Sequence, residues 1–228
     1  MKLEYLISDC DGVIVDTEYL AAFVMVDYLK EFGVDISVDY YFNTWSGTTF
    51  SGILNHYSNE RGFKLPEGYI EEISNRFEKA VDGELRPIQD IKEAYTSVPL
   101  TKAVVSNSYK FQVEHSIKLA DVDSLFEDRI FSSDMVENPK PAPDLYLYAM
   151  DKIGATTENS IVVEDSISGA KAALAAGLTV IGFVGARHIQ KGHDEKLRAL
   201  GVKYIIDKMK DLPPLIEQIQ KGEEVLEA

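Results

Sequence analysis

The chain has 228 residues, 45% hydrophobic and 27% charged, which suits one large globular domain or two small ones. A formal net charge of −15 repels polyanions and excludes the basic footprint that nucleic-acid binding needs. No apolar run is long enough to span a bilayer, the start Met1-Lys2-Leu3-Glu4 has no signal-peptide pattern, and the single Cys10 precludes an intramolecular disulfide, so a reducing cytoplasm is the expected compartment.

Residues 3–7 form a short apolar run of the kind that makes a buried strand. It leads straight into Asp9-Cys10-Asp11-Gly12, two acids one residue apart and then a glycine. From Asp16 and Thr17, both suitable N-caps, apolar residues recur at helical spacing through Tyr19, Leu20, Phe23, Val24, Tyr28 and Leu29 to Gly33, a suitable C-cap. Helical or turn segments follow around 38–42, 50–61 and 69–81, punctuated by Gly47, Gly52, Gly62, Pro66 and Gly68. No convincing strand lies between Asp16 and Leu85, and this block reads as an all-helical insertion. From Pro87 strands and helices alternate: helix 88–97, strand 100–105, helix 109–119, strand 129–132, helix 142–153, strand 160–163, helix 168–176, then strands 178–183 and 204–206. The acidic tail 222–228 is expected to fray. The alternation predicts an α/β protein, with a Rossmann-like parallel-sheet core of residues 1–15 and 86–228 and an inserted all-helical domain, 16–85.

Ligands of an open parallel sheet bind beyond the carboxyl ends of its strands. Four connections there carry complementary groups: Asp9 and Asp11; Ser106-Asn107-Ser108; Lys140 within Glu137-Asn138-Pro139-Lys140-Pro141; and Glu164-Asp165. Carboxylates at the end of a buried strand are costly unless something neutralises them. Mg²⁺, which takes oxygen ligands and commonly shares them with a substrate phosphate, is the expected cofactor. A carboxylate can attack phosphorus to give an aspartyl phosphate. A cation held by Asp9 and Asp165 would offset the repulsion between that carboxylate and a phosphate dianion. Lys140 would add positive charge, and Ser106, with Asn107 as a second contact, would hydrogen-bond the phosphoryl oxygens. Asp11 could protonate the leaving oxygen and then activate water. Glu164 would complete the metal site or support it from behind.

In order and spacing, Asp9-Cys10-Asp11-Gly12-Val13, Ser106, Lys140-Pro141-Ala142-Pro143-Asp144 and Glu164-Asp165-Ser166 resemble the four signature motifs of the haloacid dehalogenase superfamily. The resemblance covers nearly the whole chain, because the helical block stands where that family carries a helical cap. It implies Asp9 as nucleophile and Asp11 as general acid/base. It also implies Mg²⁺ bound by the Asp9 side chain, the Asp11 backbone carbonyl and the acid of the fourth motif. The second acid, Asp11, disagrees with true dehalogenases and with phosphonatases. β-Phosphoglucomutases of this cap type carry a histidine on the first cap helix and an arginine just after a cap-loop glycine. Tyr19-Leu20-Ala21-Ala22 and Gly47-Thr48-Thr49-Phe50 hold neither, so hydrolysis is the expected fate of the phosphoenzyme. The implied activity is Mg²⁺-dependent hydrolysis of a small phosphomonoester (6-phosphogluconate, a hexose phosphate or phosphoglycolate) by a cytoplasmic monomer with no nucleic-acid or membrane partner. The alternatives are a sugar-phosphate mutase and a non-catalytic binding or regulatory protein.

Cys10 is expected to pack in the core. His56, His115, His188 and His193 show no metal-ligand spacing with carboxylates and read as surface or core residues. Tyr40, Tyr41, Phe42 and Trp45 read as the core of the helical block, while Trp45-Ser46-Gly47-Thr48-Thr49 lies where a cap loop would face the site. Glu18 and Arg76 are further candidates for substrate contact. Hinges are expected near 15–16 and 85–87.

Overall fold

The computed structural model describes residues 2–45 and 48–223. They divide into two compact units, Thr17–Leu85 on the one hand and the residues up to Asp16 and from Arg86 onward on the other.

The helical unit consists of α1 (Thr17–Lys30), α2 (Val38–Trp45), α3 (Phe50–Arg61) and α4 (Tyr69–Glu84). Local chemistry sets the limits of α3: the Thr49 hydroxyl accepts the Gly52 N–H at 3.2 Å, and Gly62 ends the helix in the left-handed region, where an L side chain would be strained. Met25, Leu29, Ile53, Leu54 and Ile73 are buried together as its core. Tyr41 and Phe42 are buried there too, and Trp45 donates from Nε1 to the Tyr57 hydroxyl at 3.2 Å. Arg76, expected as a candidate for substrate contact, is engaged inside this unit: it pairs with Glu31 and Glu72, each at 2.5 Å, and lies over the Tyr28 ring. Glu18 is exposed in the first turn of α1. The loop positions Ser46 and Gly47 lie outside the described residues, as do residues 224–228 of the tail.

Among the described residues, the other unit contains the strands β1 (Tyr5–Ser8), β2 (Thr101–Ser106), β3 (Ile130–Ser132), β4 (Ser160–Glu164), β5 (Thr179–Phe183) and β6 (Tyr204–Ile206). They form one parallel sheet in the order β3-β2-β1-β4-β5-β6. Its helices are α5 (Ile91–Ser97), α6 (Lys110–Leu119), α7 (Asp123–Phe126), α8 (Asp144–Ile153), α9 (Ile167–Ala175), α10 (His193–Leu200) and α11 (Leu212–Lys221). The strands are continuous apolar runs such as Ala103-Val104-Val105 and Ile161-Val162-Val163, as a parallel sheet requires when helices bury both its faces. Ile7, Val105 and Val162 pack with Leu145, Tyr146 and Ala149 of α8 and with Ala170, Ala172 and Ala173 of α9. Burying each large apolar side chain contributes about 1.5–3 kcal/mol.

The helix expected from residue 88 begins three residues later, at Ile91. The backbone before it is already committed: Pro87 bridges Val15, the Ile88 N–H donates to Ile14 O at 2.9 Å, and Asp90 sits at φ +64°. Gly222, expected at the start of the frayed tail, caps α11 at φ +72°. Among the described residues, no helix is long and apolar enough to cross a membrane.

Candidate active site

β1 is central in the sheet, with Tyr5 opposite Thr101 of β2 and Ser160 of β4, so its carboxyl end is flanked by theirs. The Asp9 N–H donates to Val163 O at 2.9 Å and ties residue 9 to β4. The chain then turns tightly, with the Ile14 N–H on Cys10 O at 2.8 Å and the Gly12 N–H on Val15 O at 2.7 Å. Gly12 takes φ +80°, and a Cβ there would fall 2.0 Å from Asp165 Oδ2. Glycine is therefore what allows this turn and the Asp165 carboxylate to coexist.

Lys140 is the hub. It is 6% exposed, and its Nζ donates to Asp9 Oδ1 at 3.0 Å, Val105 O at 2.8 Å and Glu164 Oε1 at 2.6 Å. Burial works to lower its pKa, but Asp9 and Glu164 outweigh burial and hold the ammonium well above its ordinary value. Burial and the nearby Glu164 charge push the Asp9 carboxyl well up, against the pull of Lys140. Asn107 clamps the lysine's backbone: its side-chain oxygen accepts the Lys140 N–H at 3.0 Å, and its amide donates to Lys140 O at 2.8 Å. The side chain expected to touch phosphate thus makes two bonds to the loop that carries Lys140.

Glu164 is fully buried. Besides Lys140, its Oε1 accepts the Tyr146 hydroxyl at 3.0 Å, and its Oε2 accepts the Ser166 N–H and hydroxyl at 3.2 and 3.1 Å. Ser166 also caps α9, its Oγ accepting the Gly169 N–H at 2.9 Å. Gly169 leaves the space that Glu164 fills, since a Cβ there would stand 1.6 Å from Oε1. Asp11 is held differently: its Oδ2 accepts the hydroxyls of Ser106 at 3.0 Å and Ser108 at 2.7 Å.

Asp165 is 2% exposed. The His188 Nε2 stands 3.0 Å from its Oδ2, an ion pair when the imidazole is protonated, and the His193 Nε2 donates to its backbone oxygen at 2.6 Å. A carbonyl only accepts, so the Nε2 of His193 carries a proton; burial lowers the pKa of this imidazole. Both histidines, expected as surface or core residues without metal-ligand spacing, stand against Asp165. They are remote from Asp165 in sequence, and the connection from β5 to α10 folds them onto it. Ser108, named within the Ser106-Asn107-Ser108 connection, joins Ser106 on Asp11, while nothing local in the sequence marks Tyr146 as a partner of an acid.

The structure therefore joins Asp9, Lys140, Glu164 and Asp165 in one cluster, puts Ser106 on Asp11, and puts Asn107 behind Lys140. Carboxylate oxygens of Asp9, Glu164 and Asp165 lie within 4.8 Å of one another, and all three residues are buried. Hard oxygen donors, three acids to one ammonium, fit a hard divalent cation.

A family model described as haloacid dehalogenase-like hydrolase matches residues 6–183. The 6-phosphogluconate phosphatase of Escherichia coli is 28% identical over 188 residues, spanning 82% of this chain and 85% of that protein. The crystal structure of a conserved haloacid dehalogenase-like protein from Agrobacterium tumefaciens matches with a TM-score of 0.87 at 30% identity, over 95% of this chain and 99% of that one. A HAD family hydrolase from Deinococcus radiodurans, solved with bound phosphate and sodium, gives 0.83 at 26% identity, over 95% and 96% of the two chains.

Proposed function

The chain belongs to the haloacid dehalogenase-like hydrolase family, and from that premise we propose that it is a Mg²⁺-dependent phosphatase acting on a small phosphomonoester, a sugar phosphate, through an aspartyl phosphate on Asp9. The observation that carries this reading is the Lys140 ammonium between Asp9 and Glu164, at 3.0 and 2.6 Å, at the carboxyl end of the sheet. It sets a permanent cation beside a carboxylate, where a phosphoryl group needs both a nucleophile and charge neutralisation.

Asp9 attacks phosphorus, and the bond from phosphorus to the leaving alcohol oxygen breaks. Asp11 gives that oxygen its proton. Asp11 then takes a proton from water, which attacks the aspartyl phosphate; the acyl–phosphate bond breaks, inorganic phosphate leaves, and the Asp9 carboxylate is restored. Lys140 and Ser106 contact the phosphoryl oxygens, and Asn107 places Lys140. The Asp9 and Asp165 side chains and the Asp11 backbone carbonyl would hold Mg²⁺, with Glu164 behind them; the ion when bound neutralises phosphoryl charge and orients the group. The likeness to a 6-phosphogluconate phosphatase supports a sugar phosphate as substrate. The helical unit is assigned the choice of leaving group as a cap, with hinges near 15–16 and 85–87. The same reading makes the protein a cytoplasmic monomer.

The test is phosphate release, ranked by kcat/KM, from 6-phosphogluconate, hexose phosphates, phosphoglycolate and nucleotides with Mg²⁺. A sugar phosphate should lead, Asp9→Asn should abolish turnover, and Asp11→Asn should lower kcat by about 10²–10⁴-fold. No release from any member of the panel, or a bisphosphate-dependent interconversion with little release, would sink the reading.

A further inference from the structure

We propose that His188 and His193 are positioning residues that fix the Asp165 carboxylate for the divalent cation, an inference that rests on the function proposed above. The two contacts are independent of each other. His188 stands against the carboxylate itself, its Nε2 3.0 Å from Oδ2, and so limits its rotation. His193 holds the peptide oxygen of the same residue at 2.6 Å and so sets where that side chain starts from. One short connection between β5 and α10 supplies both.

That connection is itself anchored. Gly192 turns the chain at φ +81° into α10, His193 is the first residue of that helix, Leu197 buries its apolar side, and α10 packs against α9, the helix that follows Asp165. The turn after β1 completes the enclosure. A Cβ on Gly12 would stand 2.0 Å from Asp165 Oδ2 and 2.8 Å from His188 Cε1, so the carboxylate and the imidazole together fill the place a side chain would take. A carboxylate held this way does not have to give up rotamer freedom when the cation arrives, and partners behind a ligating group typically govern about 10–100-fold in metal affinity.

Mg²⁺ is titrated calorimetrically into metal-free protein without substrate, and the melting temperature of each metal-free protein is recorded beside its Kd. His188→Leu and His193→Leu should each weaken Mg²⁺ binding by about 10–100-fold. His188→Gln and His193→Gln, which keep an N–H at similar reach, should recover most of the loss. A merely structural role would lower the melting temperature and leave the Kd unchanged. Leucine variants that fold and bind Mg²⁺ like the wild type, while Asp165→Asn does not, overturn this inference alone. A wild-type protein that takes up no Mg²⁺ overturns the metal reading and this inference with it. Where leucine prevents folding, His188→Asn and His193→Asn, too short to keep the contacts, carry the same expectations.

Discussion

Lys140 stands where two buried carboxylates, Asp9 and Glu164, would otherwise face each other across the ends of β1 and β4. Removing one partner from a buried ionic group typically costs about 3–5 kcal/mol. Lys140→Met should therefore lower the unfolding free energy measured by urea denaturation by that amount as well as abolish turnover; an unchanged free energy would show that the acids do not need the ammonium. Gly169→Ala tests the other side of Glu164. The added methyl meets the carboxylate at 1.6 Å, so either the acid or α9 must move, an overpacking cost of about 1–3 kcal/mol or more. Cys10 is 1% exposed, and burial, with the charges of Asp11 and Asp9, pushes its thiol well up. Ellman's reagent should label it only as the protein unfolds, and prompt labelling of native protein would contradict that packing. Asp9, Asp11, Lys140, Glu164 and Asp165 were legible in the sequence because each is a chemistry-bearing residue at a strand end or in a proline-stiffened loop. The contacts of His188 and His193 were not, because their partners are fixed by the meeting of separate connections, which no local spacing records.

At the scale of elements, two loops make one device: the Asn107 side chain after β2 holds the backbone of the loop before α8 at 3.0 and 2.8 Å. Each such bond contributes about 0.5–1.5 kcal/mol net, so Asn107→Ala should loosen Lys140 and cut kcat/KM by about tenfold while Mg²⁺ affinity measured without substrate stays near wild type. Loss of Mg²⁺ binding together with activity would place Asn107 elsewhere in the site. The strands were readable as apolar runs, and α3 as a helical or turn segment over 50–61 with Gly62 just past its end. By contrast, α10 is a short, mostly polar stretch with Leu197 as its buried side chain, and α11 opens on Pro213-Pro214, a pair that reads as loop although the first turn of a helix tolerates it. The late start of α5 was hidden as well, since the chain just before it is committed to the segment around Val15, through the Ile88 N–H on Ile14 O and the bridge from Pro87 to Val15.

At the scale of the whole molecule, the net charge is −15, and in the function proposed above a bound cation would reverse that field locally for a phosphate. Mg²⁺ that binds the folded protein alone should stabilise it by about 2.7 kcal/mol at a hundred times its Kd, read as a rise in melting temperature that EDTA reverses. No rise would mean that the three acids form a closed ionic network rather than a metal site. The parallel pairing of β1 has a further consequence, in time rather than in space. Tyr5 is matched to Thr101 and Ser160, whereas Thr17–Leu85 makes a compact unit from consecutive residues. As the chain leaves the ribosome, the helical unit can collapse on its own local contacts, while the first strand has to wait for partners made about a hundred residues and more behind it. Asp9 is thus synthesised well before Glu164 and Asp165, and the cluster it makes with them closes only when the last of these neighbours has emerged.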